Sequence, residues 1–212
     1  MQDKSLKFKT LFCATISIVG WFAVLFQLYL IIINRVASFP ETIVRFFSFF
    51  TIQTNIFVAI CFSCLWLGPK SNWALFFSKA KNATAITLYI LIVGLVYNVI
   101  LRFLWAPTGS QKIVDELLHL VIPLLVLLFW IVFVTKKELE YSTIFKWLIF
   151  PFVYLIYTLI RGAFFNFYPY PFVDVKALGY SEVIRNSFFM LLTFLFFGML
   201  LIAVGKKTAV KS

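Results

Sequence analysis

Long apolar runs separated by short polar stretches dominate the pattern along this chain. A helix that crosses a membrane needs about 20 mostly apolar residues. Six segments reach roughly that length, and they cover residues 11–33, 45–67, 84–105, 115–134, 145–162 and 183–204. They predict an all-α fold, a bundle of six transmembrane helices in a single domain over residues 1–212. The first run is too long for the apolar part of a signal peptide, so we expect it to be retained as a helix.

Composition agrees with this pattern, because 63% of the residues are hydrophobic and only 13% are charged. A soluble domain is about half apolar and about a quarter charged. The net charge of +11 would suit a nucleic-acid partner, but the charged residues flank the apolar runs. We therefore expect an integral, multi-pass membrane protein. Its expected partners are the membrane and a lipid or amphipathic small molecule, and not nucleic acid.

The basic residues lie unevenly on the two sides of the predicted bundle. Twelve of the 19 lysines and arginines lie at the two termini and in the loops 68–83 and 135–146, and seven lie on the other side. Basic residues mark the cytoplasmic side, so this count predicts that both termini are cytoplasmic. All five arginines fall on the non-cytoplasmic side. They either bind a carboxylate or phosphate, or extend towards the lipid headgroups from the membrane interface.

The only histidine, His119, lies in a polar turn at the start of the fourth apolar run. Asp115 and Glu116 precede it by four and three residues and therefore share its face of a helix. Pro123 has no N–H, so the carbonyl of His119 loses its usual helical partner. Ionisable groups inside a membrane span are candidates for function. The alternative is a core histidine that hydrogen-bonds to Asp115.

Metal and cofactor chemistry is not expected. One histidine without a second set of ligands does not suit a histidine-rich metal centre or a bis-histidine haem. Cys13, Cys61 and Cys64 all lie inside apolar runs, where core packing is the expected role. We therefore expect neither a metal site nor a cofactor.

A second group of polar residues lies in the second apolar run. Ser48, Thr51 and Asn55 would share one face of a continuous helix. Thr51 lies six residues beyond Arg45 and His119 lies seven beyond Lys112, so both should lie about 9–10 Å inside the span. Polar residues of the other helices fall in the same outer half, namely Asn98, Arg102, Tyr154, Tyr157, Thr158, Arg161, Arg185 and Asn186. This layer predicts one cavity in the outer half that Thr51, Asn98, Asp115, His119 and Arg161 line together, above an apolar cytoplasmic half. Hydrogen bonds between helices are the alternative role for the threonines and asparagines.

Such a layer has the groups for nucleophilic acyl transfer. A threonine hydroxyl becomes a nucleophile when a base takes its proton, and a neutral imidazole is the usual base. Asp115 or Glu116 would orient the imidazole of His119. Side-chain amides would donate hydrogen bonds to the developing oxyanion, and the candidates are Gln53, Asn55 and Asn98.

Two motifs resemble those of the androgen-induced-protein family. One is Phe-Phe-Thr-Ile-Gln-Thr-Asn at residues 49–55, and the other is His119 before Ile122-Pro123. The loop Tyr-Pro-Tyr-Pro-Phe at residues 168–172 is similar to that of a bacterial branch of the family. Members are six-span membrane proteins, and some hydrolyse esters of hydroxylated fatty acids with an intramembrane threonine and histidine. The resemblance implies Thr51 as the nucleophile and His119 as the base. Thr54 is the alternative nucleophile, because this chain carries a second threonine beside Asn55.

The expected function is therefore hydrolysis of lipid esters of the fatty-acid-ester class, by a Thr–His pair near the non-cytoplasmic face. Arg102, Arg161 and Arg185 are the candidates for binding an acidic head group of the substrate. The alternatives are a non-catalytic lipid- or small-molecule-binding protein or transporter, and a purely structural membrane protein. The expected location is the plasma membrane of a bacterium.

Overall fold

The computed structural model describes the backbone of residues 2–209 and the side chains of residues 6–208. Ten α-helices follow one another in this part of the chain, and no strand is present there. They are α1 (Gln2–Ile33), α2 (Phe39–Ser48), α3 (Phe50–Leu67), α4 (Asn72–Ser78), α5 (Ala80–Val99), α6 (Gly109–Glu116), α7 (Ile122–Phe133), α8 (Ile144–Trp147), α9 (Ile149–Phe165) and α10 (Val175–Ala209). A short π-helix, Leu117–Val121, joins α6 to α7.

Six helical segments are long and apolar enough to cross a membrane, which confirms the predicted six-span, all-α fold. They are Leu6–Ile33, Phe50–Leu67, Ala80–Phe103, Gly109–Phe133, Tyr141–Phe165 and Val175–Thr208. The fourth and fifth are longer than predicted from the sequence. Connections 34–49, 104–108 and 166–174 share one end of the bundle, here called the outer end because the sequence predicts it to be non-cytoplasmic. Connections 68–79 and 134–140 share the inner end.

The second predicted span is not one continuous helix. Helix α2 ends at Ser48, the backbone of Phe49 is extended (φ −78°, ψ 127°), and α3 begins at Phe50. Side chains bind the carbonyls that the break exposes: Gln53 Nε2 donates to Phe47 O at 2.9 Å, and the Tyr154 hydroxyl donates to Ser48 O at 2.9 Å. The prediction that Ser48 and Thr51 share one helical face is therefore wrong. Thr51 is instead the second residue of a new helix.

Small residues allow the helices of the core to approach closely. A Cβ added at Gly20 of α1 would lie 3.2 Å from Ala59 Cβ of α3. A Cβ added at Gly94 of α5 would lie 3.0 Å from the carbonyl oxygen of His119 and 3.2 Å from Pro123 Cβ. Such contacts are typical of membrane helices, whose association depends on close packing. They hold the turn around His119 directly against α5.

The orientation of the bundle is open to a direct test. Lys176 and Lys207 lie near opposite ends of α10, with Lys176 just before the non-helical residue Gly179 (φ 76°, ψ 162°) and Lys207 in the last turn. We expect a membrane-impermeant maleimide to label Lys176→Cys in intact cells and Lys207→Cys only after permeabilisation. The native Cys13 and Cys61 are buried but Cys64 is partly exposed, so the test is made in a Cys64→Ser background. Labelling of both positions from the same side would contradict the predicted orientation.

Candidate functional site

Thr51 occupies the N-terminus of α3, just inside the helix break. Its backbone N–H donates to the hydroxyl oxygen of Tyr170 at 3.1 Å, and its own hydroxyl lies 3.2 Å from the same oxygen. The first N–H groups of a helix have no partner within the helix, and the helix dipole favours negative charge there. Thr51 is 7% exposed. The break therefore places a threonine hydroxyl, a backbone donor and a phenol at one point.

Tyr170 reaches this point from the outer connection between α9 and α10. Its ring stacks on Phe172 at 5.3 Å and meets the edge of Phe49 at 5.8 Å. Burial raises the pKa of the Tyr170 phenol above its ordinary value, so the hydroxyl stays protonated and able to donate. The loop 168–172 therefore holds a neutral hydrogen-bond donor, the Tyr170 hydroxyl, next to Thr51.

A glycine on α9 makes room for this loop. A Cβ added at Gly162 would lie 1.9 Å from Cε1 of Tyr168, much closer than any van der Waals contact. The ring of Tyr168 occupies the space that any other residue at position 162 would need. Gly162 thereby fixes the loop at Tyr168, two residues before Tyr170.

We expect Gly162→Ala to destabilise the protein by about 1–3 kcal/mol, because the ring of Tyr168 must leave its place. Thermal unfolding of the detergent-solubilised protein measures this effect. Gly68→Ala is the matched control, since its added Cβ would come no closer than 3.4 Å to another atom. Equal stability of the two variants would contradict the close packing of Tyr168 on α9.

His119 lies in the π-helix between α6 and α7, where the loss of the Pro123 N–H leaves its carbonyl free of the usual helical partner. Asn98 of α5 donates to that carbonyl at 3.1 Å. The Nδ1 atom of His119 lies 2.9 Å from the backbone carbonyl of Asp115. A carbonyl only accepts, so Nδ1 carries the proton and Nε2 keeps the lone pair that a base needs. The ring stacks on Tyr97 at 3.8 Å, with 12° between the planes.

The two carboxylates beside His119 have other partners. Asp115 Oδ1 lies 4.0 Å from His119 Nδ1, beyond hydrogen-bond length, and Asp115 accepts from Trp105 at 2.9 Å. Glu116 accepts from Arg102 through both oxygens, at 2.7 and 2.8 Å. The backbone of Asp115, and not either carboxylate, therefore orients the imidazole.

The amides expected to stabilise an oxyanion are also engaged. Gln53 donates to Phe47 O, as described above. Asn55 Nδ2 donates to Thr51 O at 2.8 Å and to Leu118 O at 3.4 Å, and Asn98 donates to Gly94 O at 2.7 Å as well as to His119 O. These bonds join helices and turns. The donors left near the Thr51 hydroxyl are its own N–H and the Tyr170 hydroxyl, and sequence reasoning did not single out Tyr170.

Each arginine expected to bind a head group forms an ion pair. Arg102 pairs with Glu116, Arg185 pairs with Glu182, and Arg161 NH2 donates to Glu41 Oε1 at 2.8 Å. Arg102 also donates to Asn98 Oδ1 at 3.0 Å. Arg102 therefore belongs to the network around His119, whereas Arg161 belongs to a separate group at the outer end.

The side chains of Thr51 and His119 are not hydrogen-bonded to each other within the described residues, and their link runs through Asn55. Asn55 joins the carbonyl of Thr51 to that of Leu118, the residue before His119. Four buried side-chain atoms in the described residues lack a partner, namely Thr54 Oγ1, Asn55 Oδ1, Thr158 Oγ1 and Arg161 Nε. The hydroxyl of the alternative nucleophile, Thr54, is thus fully enclosed, whereas Thr51 faces a cavity.

That cavity has a volume of about 460 Å³ and lies between α5, α8–α9 and α10. Its walls are mainly apolar, and Thr51, Tyr170 and Thr158 are among the polar residues in them. It extends along the fifth span as far as Phe145, closer to the inner end than the sequence pattern predicts. The described residues that line it do not include Asn98, Asp115, His119 or Arg161. The expectation of one cavity shared by all five polar residues is not met here.

Comparisons with family models, curated proteins and solved structures give no match for this chain. The family resemblance of the motifs around Thr51 and His119 therefore stays a prediction. The geometry of the site carries the functional argument.

Proposed function

We propose that the protein is a membrane-embedded hydrolase of lipid esters of the fatty-acid-ester class, with Thr51 as the nucleophile and His119 as the base. The observation that carries this proposal is the position of Thr51, whose hydroxyl stands at a helix N-terminus in the wall of a long apolar cavity. The motif resemblance supports the same pair of residues. It also supports the plasma membrane of a bacterium as the location.

The cavity suits an acyl chain that arrives from the bilayer. Phe152 of α9 and Phe188 of α10 line it and are 62% and 55% exposed, so they face lipid in a membrane. An acyl chain that moves from the bilayer to such walls stays in apolar surroundings, so its entry exposes no hydrocarbon to water. We infer that the chain enters between α9 and α10 and that its ester group stops at Thr51.

The reaction begins when Nε2 of His119 takes the proton of the Thr51 hydroxyl as Oγ1 attacks the ester carbonyl carbon. This step requires Oγ1 and Nε2 to come within about 2.6–3.2 Å, so the bound ester must first displace the Tyr170 hydroxyl from Oγ1. The N–H of Thr51 and the Tyr170 hydroxyl then donate to the oxyanion. The alcohol leaves with the proton from His119, and water hydrolyses the threonyl ester through the same base.

A fluorophosphonate probe tests the proposal on the wild-type protein. A catalyst should be labelled, and peptide mapping should find the phosphonyl group on Thr51. Competition by a long-chain fatty-acid ester should slow the labelling, because both ligands use the same cavity. An unlabelled wild type that also leaves such esters intact would overturn the hydrolase proposal.

Two observations favour the alternative, a non-catalytic lipid-binding protein. His119 does not line the cavity that Thr51 faces, and the expected oxyanion amides are bonded to carbonyls. A binding protein would retain a lipid in the cavity and ignore the fluorophosphonate. Labelling therefore separates the two functions, whereas lipid binding alone does not.

We expect Tyr170→Phe to lower kcat for ester hydrolysis by about 10²-fold, the usual loss when one oxyanion donor is removed. Lipid binding should change little, because the ring and its stacking on Phe172 remain. Tyr168→Phe is the matched control in the same loop, and its activity should stay near that of the wild type. Equal activity of Tyr170→Phe and the wild type would remove Tyr170 from the mechanism.

A further inference from the structure

A second cavity, of about 180 Å³, lies at the outer end between the end of α1, helix α2 and Phe167. Asn34, Arg35, Thr42 and Arg45 supply its polar walls. The volume is enough for several water molecules at about 30 Å³ each. It shares none of its lining residues with the larger cavity. Any ligand bound here is therefore separate from the one that reaches Thr51.

The charges around this cavity are unbalanced. Glu41 Oε1 accepts from Arg45 Nε and from Arg161 NH2, each at 2.8 Å. The hydrogen bond from Arg45, reinforced by the charge of Arg161, holds the pKa of Glu41 below its ordinary value, so the carboxylate is ionised. Arg35 lines the same cavity, and its NH1 donates to the carbonyl of Ile32 at 3.2 Å. Arg45 and Arg161 thus share the one carboxylate of Glu41, and Arg35 adds a further positive charge to the cavity wall.

The guanidinium groups of Arg45 and Arg161 are fixed in position, but one of their N–H donors has no acceptor within the described residues. The Cζ atoms of Arg45 and Arg161 lie 4.7 and 5.1 Å from the centroid of the Phe167 ring. Arg161 is only 6% exposed, and its buried Nε has no partner within the described residues. A buried cation is costly unless an anion and hydrogen-bond acceptors accompany it. Arg161 shares the carboxylate of Glu41 with Arg45, and its Nε has no acceptor within the described residues.

We propose that this outer arginine site, which is lined by Arg35, Arg45 and Phe167 and has Arg161 beside Phe167, binds a phosphate group. Arginine presents a planar set of donors that fits phosphate oxygens, and it stacks on aromatic rings as it does here. A tetrahedral phosphate offers acceptors in several directions at once, which suits guanidinium groups that approach from the connection after α1 and from α2. The site lies beside exposed Val36 at the end of the first span, so both a phospholipid head group and inorganic phosphate can reach it.

The experiment uses the full-length protein in detergent and two probes, dioctanoyl-phosphatidylglycerol and inorganic phosphate. Native mass spectrometry measures binding of the lipid, and isothermal titration calorimetry measures binding of phosphate. Dioctanoylglycerol serves as the phosphate-free control. We expect at least one phosphate-containing probe to bind, and dioctanoylglycerol to bind much more weakly than the phospholipid. Binding of the lipid alone identifies a head-group site, and binding of inorganic phosphate identifies a site for the free anion.

The variants Arg45→Gln and Arg35→Gln should each weaken binding by about tenfold, through the loss of a charged hydrogen-bond donor. Within the part of the chain that the structure describes, Arg35 bonds to a single backbone carbonyl, so its replacement keeps the test valid if Arg45→Gln does not fold. Arg185→Gln, an exposed outer arginine paired with Glu182 away from this cavity, should bind as the wild type does. The proposal is overturned if neither phosphate-containing probe binds, if dioctanoylglycerol binds as tightly as the phospholipid, or if Arg185→Gln weakens binding equally.

Discussion

Thr51→Ala should abolish fluorophosphonate labelling and lower ester hydrolysis by about 10³-fold or more, because no other group at the site then carries the acyl intermediate. The backbone N–H at position 51 can still donate to the Tyr170 hydroxyl in the variant, so the N-terminus of α3 keeps this hydrogen bond. Gel-based labelling and release of a fluorescent fatty acid measure the two losses. Folding should be nearly unaffected, since loss of one polar contact between membrane helices costs about 1 kcal/mol.

Two further substitutions sharpen this test. Thr54→Ala removes a hydroxyl that is completely buried and has no hydrogen-bond partner among the described residues, so it should retain activity. Thr51→Ser keeps a nucleophilic hydroxyl and should recover part of the rate. If Thr54→Ala loses labelling while Thr51→Ala keeps it, the nucleophile is the threonine one turn further along α3. If neither substitution matters, the lipid-binding function replaces the hydrolase.

His119→Ala should lower kcat by about 10²–10⁴-fold, the range over which a general base contributes. A threonine hydroxyl without a base is a poor nucleophile at neutral pH. The double variant Thr51→Ala/His119→Ala should be hardly slower than Thr51→Ala alone, because members of one catalytic unit lose activity together. Steady-state kinetics on the purified proteins measure both effects. Additive losses would show that His119 acts elsewhere.

A structural role for His119 predicts a different result from a catalytic one. His119→Asn retains a donor near the position of Nδ1, so it can keep the hydrogen bond to the Asp115 carbonyl while removing the base. If His119 only forms hydrogen bonds within the core, the enzyme should remain active after this change. If His119 is the base, the enzyme should lose activity. Asp115→Asn leaves the backbone carbonyl in place, and we expect a mild effect from it. Strong inactivation by Asp115→Asn would instead show that the Asp115 carboxylate takes part in catalysis.

Much of the architecture follows from the sequence because membrane insertion depends on local chain properties. Apolar length is counted along the chain, so six runs of roughly 20 residues predict six spans wherever their neighbours lie. The unusual turn at His119 is also local, since Pro123 lacks the N–H that the carbonyl of His119 would need. The π-helix at Leu117–Val121 agrees with that prediction.

Only the tertiary structure decides which polar groups meet. The helix break at Phe49 has neither glycine nor proline beside it, and its exposed carbonyls are satisfied by Gln53 and by Tyr154, 106 residues from Ser48. Tyr170 reaches Thr51 across 119 residues, and Arg161 reaches Glu41 across 120. Backbone polar groups inside a membrane need partners, but sequence spacing does not say which distant side chain supplies one. For that reason the sequence alone determined the spans and the candidate pair Thr51 and His119, whereas the partners of Thr51, His119 and the arginines depend on how the helices pack.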